Sequence, residues 1–176
     1  MIPLPSTLTL VQLRERLSLA NSYNRLPILL DLAWQAEWAD WLTVLGEEWQ
    51  SCDNIGLHLD ELLEQTPLAD VIDQPKALRQ WLMTADEVAA LDALPEVVTV
   101  WRGCYQSNKW GLSWSLDRDK AAAFPSFNRY RQDGQPLLVK ARIARDDILA
   151  LKLERNEAEV IAVRPKHVST SHLPLD

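Results

Sequence analysis

Pro95 separates two kinds of hydrophobic pattern in this chain, and only a fold with both a helical region and a sheet accommodates them. Before it, apolar residues recur every three or four positions. Leu8, Val11, Leu13, Leu17 and Ala20 follow Pro3, Pro5 and a Ser6 or Thr7 cap, and predict a first helix. From about Pro27 to Gln50 the stripe Leu30, Trp34, Trp38, Trp41, Leu45 and Trp49 predicts one long helix with its indoles on a packing face. Further helices are expected over 58–65 and 75–83, and Thr84-Ala85-Asp86-Glu87 has the reciprocal capping pattern ahead of Val88, Leu91 and Leu94.

After Pro95 the pattern alternates. Val97-Val98-Thr99-Val100-Trp101 is a β-branched and aromatic run, with Gly103 read as a break after Arg102. From Trp110 to Leu116, Trp110, Leu112, Trp114 and Leu116 take one strand face and Gly111, Ser113 and Ser115 the other. Asp117 caps a short helix carrying Ala121, Ala122 and Phe124; 126–135 reads as a loop with a turn at Asp133-Gly134. Strands are expected over 137–143, 150–153 and 157–163. The expectation is one α+β domain: a helical part over 1–95, a β-rich part over 96–168 and a tail over 169–176, with no internal repeat or linker.

With 176 residues, 47% of them hydrophobic, the chain can bury a sizeable core. Its net charge of -7 is unevenly spread: residues 1–95 hold 5 Lys or Arg against 15 Asp or Glu, and residues 96–176 hold 13 against 10. The acidic first part argues against a nucleic-acid footprint there, whereas the mildly basic second part can receive a small anion such as a dinucleotide. Cys52 and Cys104 lack metal-ligand spacing and are expected as free thiols. His58, His167 and His172 form no metal-ligand spacing, and no Gly-rich phosphate loop is present. Without an apolar run of membrane-spanning length or a cleavable leader at Met1-Ile2-Pro3-Leu4-Pro5, a cytoplasmic protein is expected.

Three elements of the second part can carry chemistry. Arg102-Gly103 places a permanently charged fork beside a residue that lets a ligand approach the backbone. Gly111-Leu112-Ser113-Trp114-Ser115 offers either a small polar ligand floor or a solvated strand face. Asn156-Glu157-Ala158-Glu159-Val160-Ile161 puts two carboxylates on one face of an apolar strand, as a solvated edge or as a pair able to stabilise a developing cation and accept a proton. A sugar hydrolase is a further use of such a pair.

Taken in order, Val100-Trp101-Arg102-Gly103, Gly111 to Asp117 and the helix after it, and Glu157-Ala158-Glu159 resemble the arginine-serine-glutamate class of ADP-ribosyltransferases, over roughly residues 96–168. Two departures stand out: Trp114 replaces the family's usual Thr, and ten residues separate Arg102 from Ser113. The resemblance implies a small split, mixed or antiparallel sheet after the helices, NAD+ as co-substrate without a metal, and transfer of a single ADP-ribose to a macromolecular acceptor. A protein arginine is the acceptor expected, rather than nucleic acid, and no membrane is involved. Arg102 would hold the adenosine-side ribose or the phosphates, and the Gly103 backbone the nicotinamide amide. Ser113 would orient Glu159 and, with Ser115, line the nicotinamide ribose. Glu159 would act on the ribose, Glu157 on the acceptor, and Phe127 or Tyr130 would stack on nicotinamide. Such proteins resemble toxins, phage-encoded modifiers of host proteins or inhibitors of defence complexes. The alternative is a noncatalytic protein that binds a partner through its acidic helical part.

Overall fold

Thr9 opens the first helix by reciprocal capping: its Oγ1 accepts from the Gln12 N–H at 3.3 Å, and the Gln12 side chain accepts from the Thr9 N–H at 2.9 Å. The cap therefore lies beyond the expected Ser6 or Thr7, two residues past Thr7. The structure is a computed structural model describing residues 7–53, 55–154 and 158–174, and the chain divides into two units, 1–84 and 85–176.

The first unit is helical: α1 (Leu10–Leu17), α2 (Arg25–Asp31), α3 (Trp38–Glu48), α4 (Leu59–Glu64), α5 (Pro67–Val71) and α6 (Pro75–Leu82). The single helix expected over 27–50 is instead α2 and α3, because the chain leaves the helical path between them and Leu8 N–H bonds the Gln35 carbonyl at 2.7 Å. The tryptophan stripe splits accordingly. Trp41 is fully buried with its indole N–H on the Leu29 carbonyl at 2.7 Å, whereas Trp34 and Trp38 are exposed. A helical spacing measures where side chains recur, not whether the backbone between them stays helical. α3 packs on α6 at Gly46, where a Cβ would lie 2.6 Å from the Leu82 carbonyl oxygen. α5 was not expected; Pro67 starts it and Thr66 caps it.

The second unit begins with α7 (Ala85–Asp92) and continues through β1 (Val97–Cys104), β2 (Ser113–Ser115), α8 (Arg118–Ala123), β3 (Leu137–Ala144), β4 (Ala150–Lys152), β5 (Glu159–Ile161) and β6 (Lys166–His172). These strands form one six-stranded sheet in the order β4-β5-β2-β1-β3-β6, with every described pairing antiparallel. The chain is thus α+β, and the antiparallel form of the expected sheet is the one observed.

Three sequence expectations change here. Gly103 does not end β1. It lies inside the strand, where a Cβ would overlap the Ala121 carbonyl of α8 and come within 2.7 Å of Pro125 Cδ, so the glycine lets a helix sit against the strand. β2 is shorter than the alternating run, and Trp110 stands exposed outside it. The tail expected over 169–176 is not all tail: β6 begins at Lys166 and runs on into it as far as His172, with all its residues exposed. No helix among the described residues is long and apolar enough to cross a membrane.

Candidate functional site

The sheet is nearly two sheets. β1 pairs with β3 along its whole length, from Val97 opposite Ala144 to Cys104 opposite Leu137, but β2 meets β1 only at Trp101 opposite Ser115. The connection from β1 to β2 makes a 3-10 turn over Gln106–Asn108.

Arg102 closes the seam between β1 and β2. Its Nη1 donates to the Ser113 carbonyl at 2.6 Å, while Nε and Nη2 donate to the Asn108 carbonyl at 3.3 and 3.1 Å. Gly111 lies so close to the guanidinium that a Cβ there would overlap it. By strand alternation Arg102 leaves β1 on the side opposite Trp101, so it meets β2 at the main chain rather than at the serine hydroxyls. Burial lowers its pKa from the usual arginine range, with Cys104 and Glu159 acting in the opposite sense; the group remains a cation.

On the other side of the sheet, register builds a row. Lys140 lies opposite Trp101, Trp101 opposite Ser115, Ser115 opposite Glu159, and Glu159 opposite Lys152. Directly paired residues project to the same side, and Ser113 follows in the next row opposite Ile161. Ser113, Ser115 and Glu159 therefore share a face. Ser115 is buried and its Oγ accepts from the Asp117 N–H at 3.0 Å. Asp117 in turn accepts from the N–H groups of Asp119 and Lys120, the hydrogen bond from Lys120 chiefly lowering its pKa, and so starts α8. Glu159 is half-buried at the first position of β5.

Glu157 lies outside the described residues. β5 is described from Glu159, and Ala158 before it has a φ of 32°, in the left-handed region that favours glycine. The Ala158 carbonyl still accepts from the Leu116 N–H at 3.2 Å, which ties this turn to the end of β2.

Phe127 and Tyr130 both pack on Phe124, with centroids 5.8 and 5.5 Å away, and Phe127 stays exposed. The cluster follows α8, next to the Pro125 that covers Gly103. A separate groove of about 490 Å³ runs past Tyr105, Ala122, Ser126, Arg131 and Leu173; Arg102, Ser113 and Glu159 do not line it.

Two groups escaped sequence reasoning. Trp101 carries cations over its ring, Lys140 at 5.2 Å and Arg118 at 5.9 Å. Lys152, almost fully buried, donates to Glu87 of α7 at 2.9 Å. A lysine inside Ile148-Leu149-Ala150-Leu151-Lys152-Leu153 was the available signal, since an ammonium among buried apolar residues needs a counter-charge. Burial raises the thiol pKa of Cys104, and that of Cys52 to about 12, so neither suits a nucleophile. No cluster of three or more His, Cys, Asp or Glu able to hold a metal occurs among the described residues. No protein-family model, curated protein or solved structure matches the chain.

Proposed function

We propose that this protein is a mono-ADP-ribosyltransferase that uses NAD+ as co-substrate and transfers ADP-ribose to a macromolecular acceptor, a protein arginine. The observation that carries the reading is the pairing of the serine strand with the strand that Glu159 begins, Ser115 directly opposite Glu159, at a seam closed by Arg102. Two three-stranded halves joined at one residue pair also favour the split sheet of the ADP-ribosyltransferase type.

The chemistry asks little of a general acid, because nicotinamide leaves as a neutral molecule from a cationic glycoside. The barrier falls when a fixed negative group faces the oxocarbenium-like ribose. Glu159 fills that role and accepts from the ribose 2'-hydroxyl, with Ser113 orienting it and Ser115 lining the ribose. Arg102 uses three of its five N–H donors on carbonyls, leaving two for the adenosine-side ribose or phosphates; because it leaves β1 on the side opposite Glu159, NAD+ must pass through the seam to meet both. The Gly103 backbone receives the nicotinamide amide, and Phe127 or Tyr130 covers its ring. Glu157 acts on the acceptor.

The test is transfer itself. Incubation with adenylate-labelled NAD+ and a cell lysate should label protein at arginine, and Glu159→Gln should abolish the label. Equal background labelling by both, with no NAD+ binding, would remove the enzyme reading. It would leave the noncatalytic one, which rests on residues 1–84 carrying 5 Lys or Arg against 12 Asp or Glu and exposing Trp34 by 68% and Leu57 by 80%.

A further inference from the structure

The three longer strands, β1, β3 and β6, have unlike faces. On one, Val98, Val100, Ala141 and Ile143 are buried. On the other, register sets out cations: Thr99 lies opposite Arg142 and Arg142 opposite Lys166, and in the next row Trp101 lies opposite Lys140 and Lys140 opposite Ser169. Directly opposed residues have Cβ atoms roughly 4.5–5.5 Å apart, so the Arg142–Lys166 rung holds two like charges in a destabilising arrangement. Both residues are exposed. Among the described residues, neither they nor Lys140 makes an ion pair, whereas Arg118, the second cation over Trp101, is answered by Asp119 at 2.9 Å. An anion seated between Arg142 and Lys166 would remove their repulsion. β6 is the edge of the sheet, which leaves Lys166 open to a partner from outside.

We infer that this face docks an acidic, extended protein segment, with one carboxylate beside Lys140 and the next between Arg142 and Lys166. Two strand positions span roughly 6.4–6.8 Å, so Lys140 and Arg142 match carboxylates at alternate positions of an extended chain. The partner is acidic protein rather than single-stranded nucleic acid. Lys140 and Arg118 already stand over the Trp101 ring, at 5.2 and 5.9 Å, and a base needs that ring bare to stack. Lys140 and Trp101 also begin the row that continues through Ser115 to Glu159, which sets the docked segment next to the candidate site. In the ADP-ribosyltransferase reading, on which this last step alone rests, the segment belongs to the acceptor and brings its arginine to that site.

The test is fluorescence anisotropy of a dye-labelled peptide of alternating Glu and Ser, beside its Gln-for-Glu counterpart and an oligothymidylate of equal charge. The acidic peptide should bind the full chain more tightly than either and weaken as salt rises. A surface ion pair is worth about two- to fivefold in affinity. Reversing a charge removes a pair and adds repulsion, so Arg142→Glu should weaken binding at least about fivefold, and Arg142→Glu with Lys140→Glu at least about tenfold. Arg142→Glu also puts opposite charges on the rung to Lys166, so its thermal unfolding should stay in place or shift upward, which separates lost docking from lost folding. With an arginine appended, the acidic peptide should be labelled from NAD+, and its KM should rise in the double variant.

Equal binding of the acidic and Gln peptides, or equal binding by wild type and the double variant, overturns the inference. Oligothymidylate bound as tightly as the acidic peptide, or more so, assigns the face to nucleic acid and overturns it as well. If the Glu variants do not fold, Arg142→Gln with Lys140→Gln decides: a loss of at least about fourfold is expected, and no loss overturns the proposal. Absence of nicotinamide release from the wild type would instead defeat the ADP-ribosyltransferase reading, while the peptide titration would still decide the docking face.

Discussion

The two halves of the sheet are held in place by different means. β1, β3 and β6 are 8, 8 and 7 residues long, and β1 and β3 match residue for residue, so their register follows from the ladder and from buried Val98, Val100, Val139, Ala141 and Ile143. β2, β4 and β5 have three residues each. Ladders that short define register weakly. Side chains make up the difference: Arg102 on the Ser113 carbonyl, Ser115 under the Asp117 N–H, the Lys152–Glu87 pair, and buried Trp114, Leu151 and Val160. The long half is a frame that carries Arg102 and Gly103, and the serines and Glu159 sit on the half that depends on individual contacts.

Substitutions at the seam can break that comparison. Gly103→Ala attacks the frame where a backbone oxygen, that of Ala121, must give way, and should cost about 3 kcal/mol, the upper end of overpacking. Its thermal or denaturant unfolding should shift as one transition across the second unit. Arg102→Lys attacks the other half by replacing a fork shared between two carbonyls with a single ammonium, for about 1–2 kcal/mol. There, native-state hydrogen exchange should open β2 and β5 while β1 and β3 keep their protection. Uniform opening of all four strands would mean that the halves are one cooperative element.

Smaller effects sharpen the contrast. Ala158→Gly should stabilise the protein by about 0.5–1 kcal/mol, because glycine takes the left-handed conformation at less steric cost. Loss of stability would place the strain elsewhere. The weakest effect is a pH dependence. Asp117 has its folded pKa lowered, so its contribution is present above the ordinary aspartate value of 3.8 and is lost as pH falls through the lowered value. Asp117→Asn should flatten that acid-side slope in unfolding measurements. An unchanged slope would remove Asp117 as its source.

The change from helix to sheet at Pro95 was legible because periods near 3.6 and 2 leave different marks on a sequence. Arg102, Ser113 and Glu159 were legible as an ordered set, and the structure brings their strands together. Other features carried no local mark. The later residues of β6, from 169 on, read as polar tail because Lys166–His172 is exposed throughout and shows no alternation of buried and solvated positions. The break between α2 and α3 is hidden because Leu30, Trp34 and Trp38 keep a helical spacing across it. Gly103 looks like a terminator until α8 is seen lying on it. The partner of Lys152 is 65 positions away in sequence, so the need for a counter-charge was readable but its source was not.

The account stands on Glu159 acting at the NAD+ ribose. Nicotinamide release at saturating NAD+, measured for wild type and Glu159→Gln, tests it most directly. The account predicts a fall in kcat of about 10²–10³, the scale of losing one preorganised electrostatic stabiliser, with NAD+ affinity changed by less than about threefold. Release at the same rate by the two proteins would contradict it.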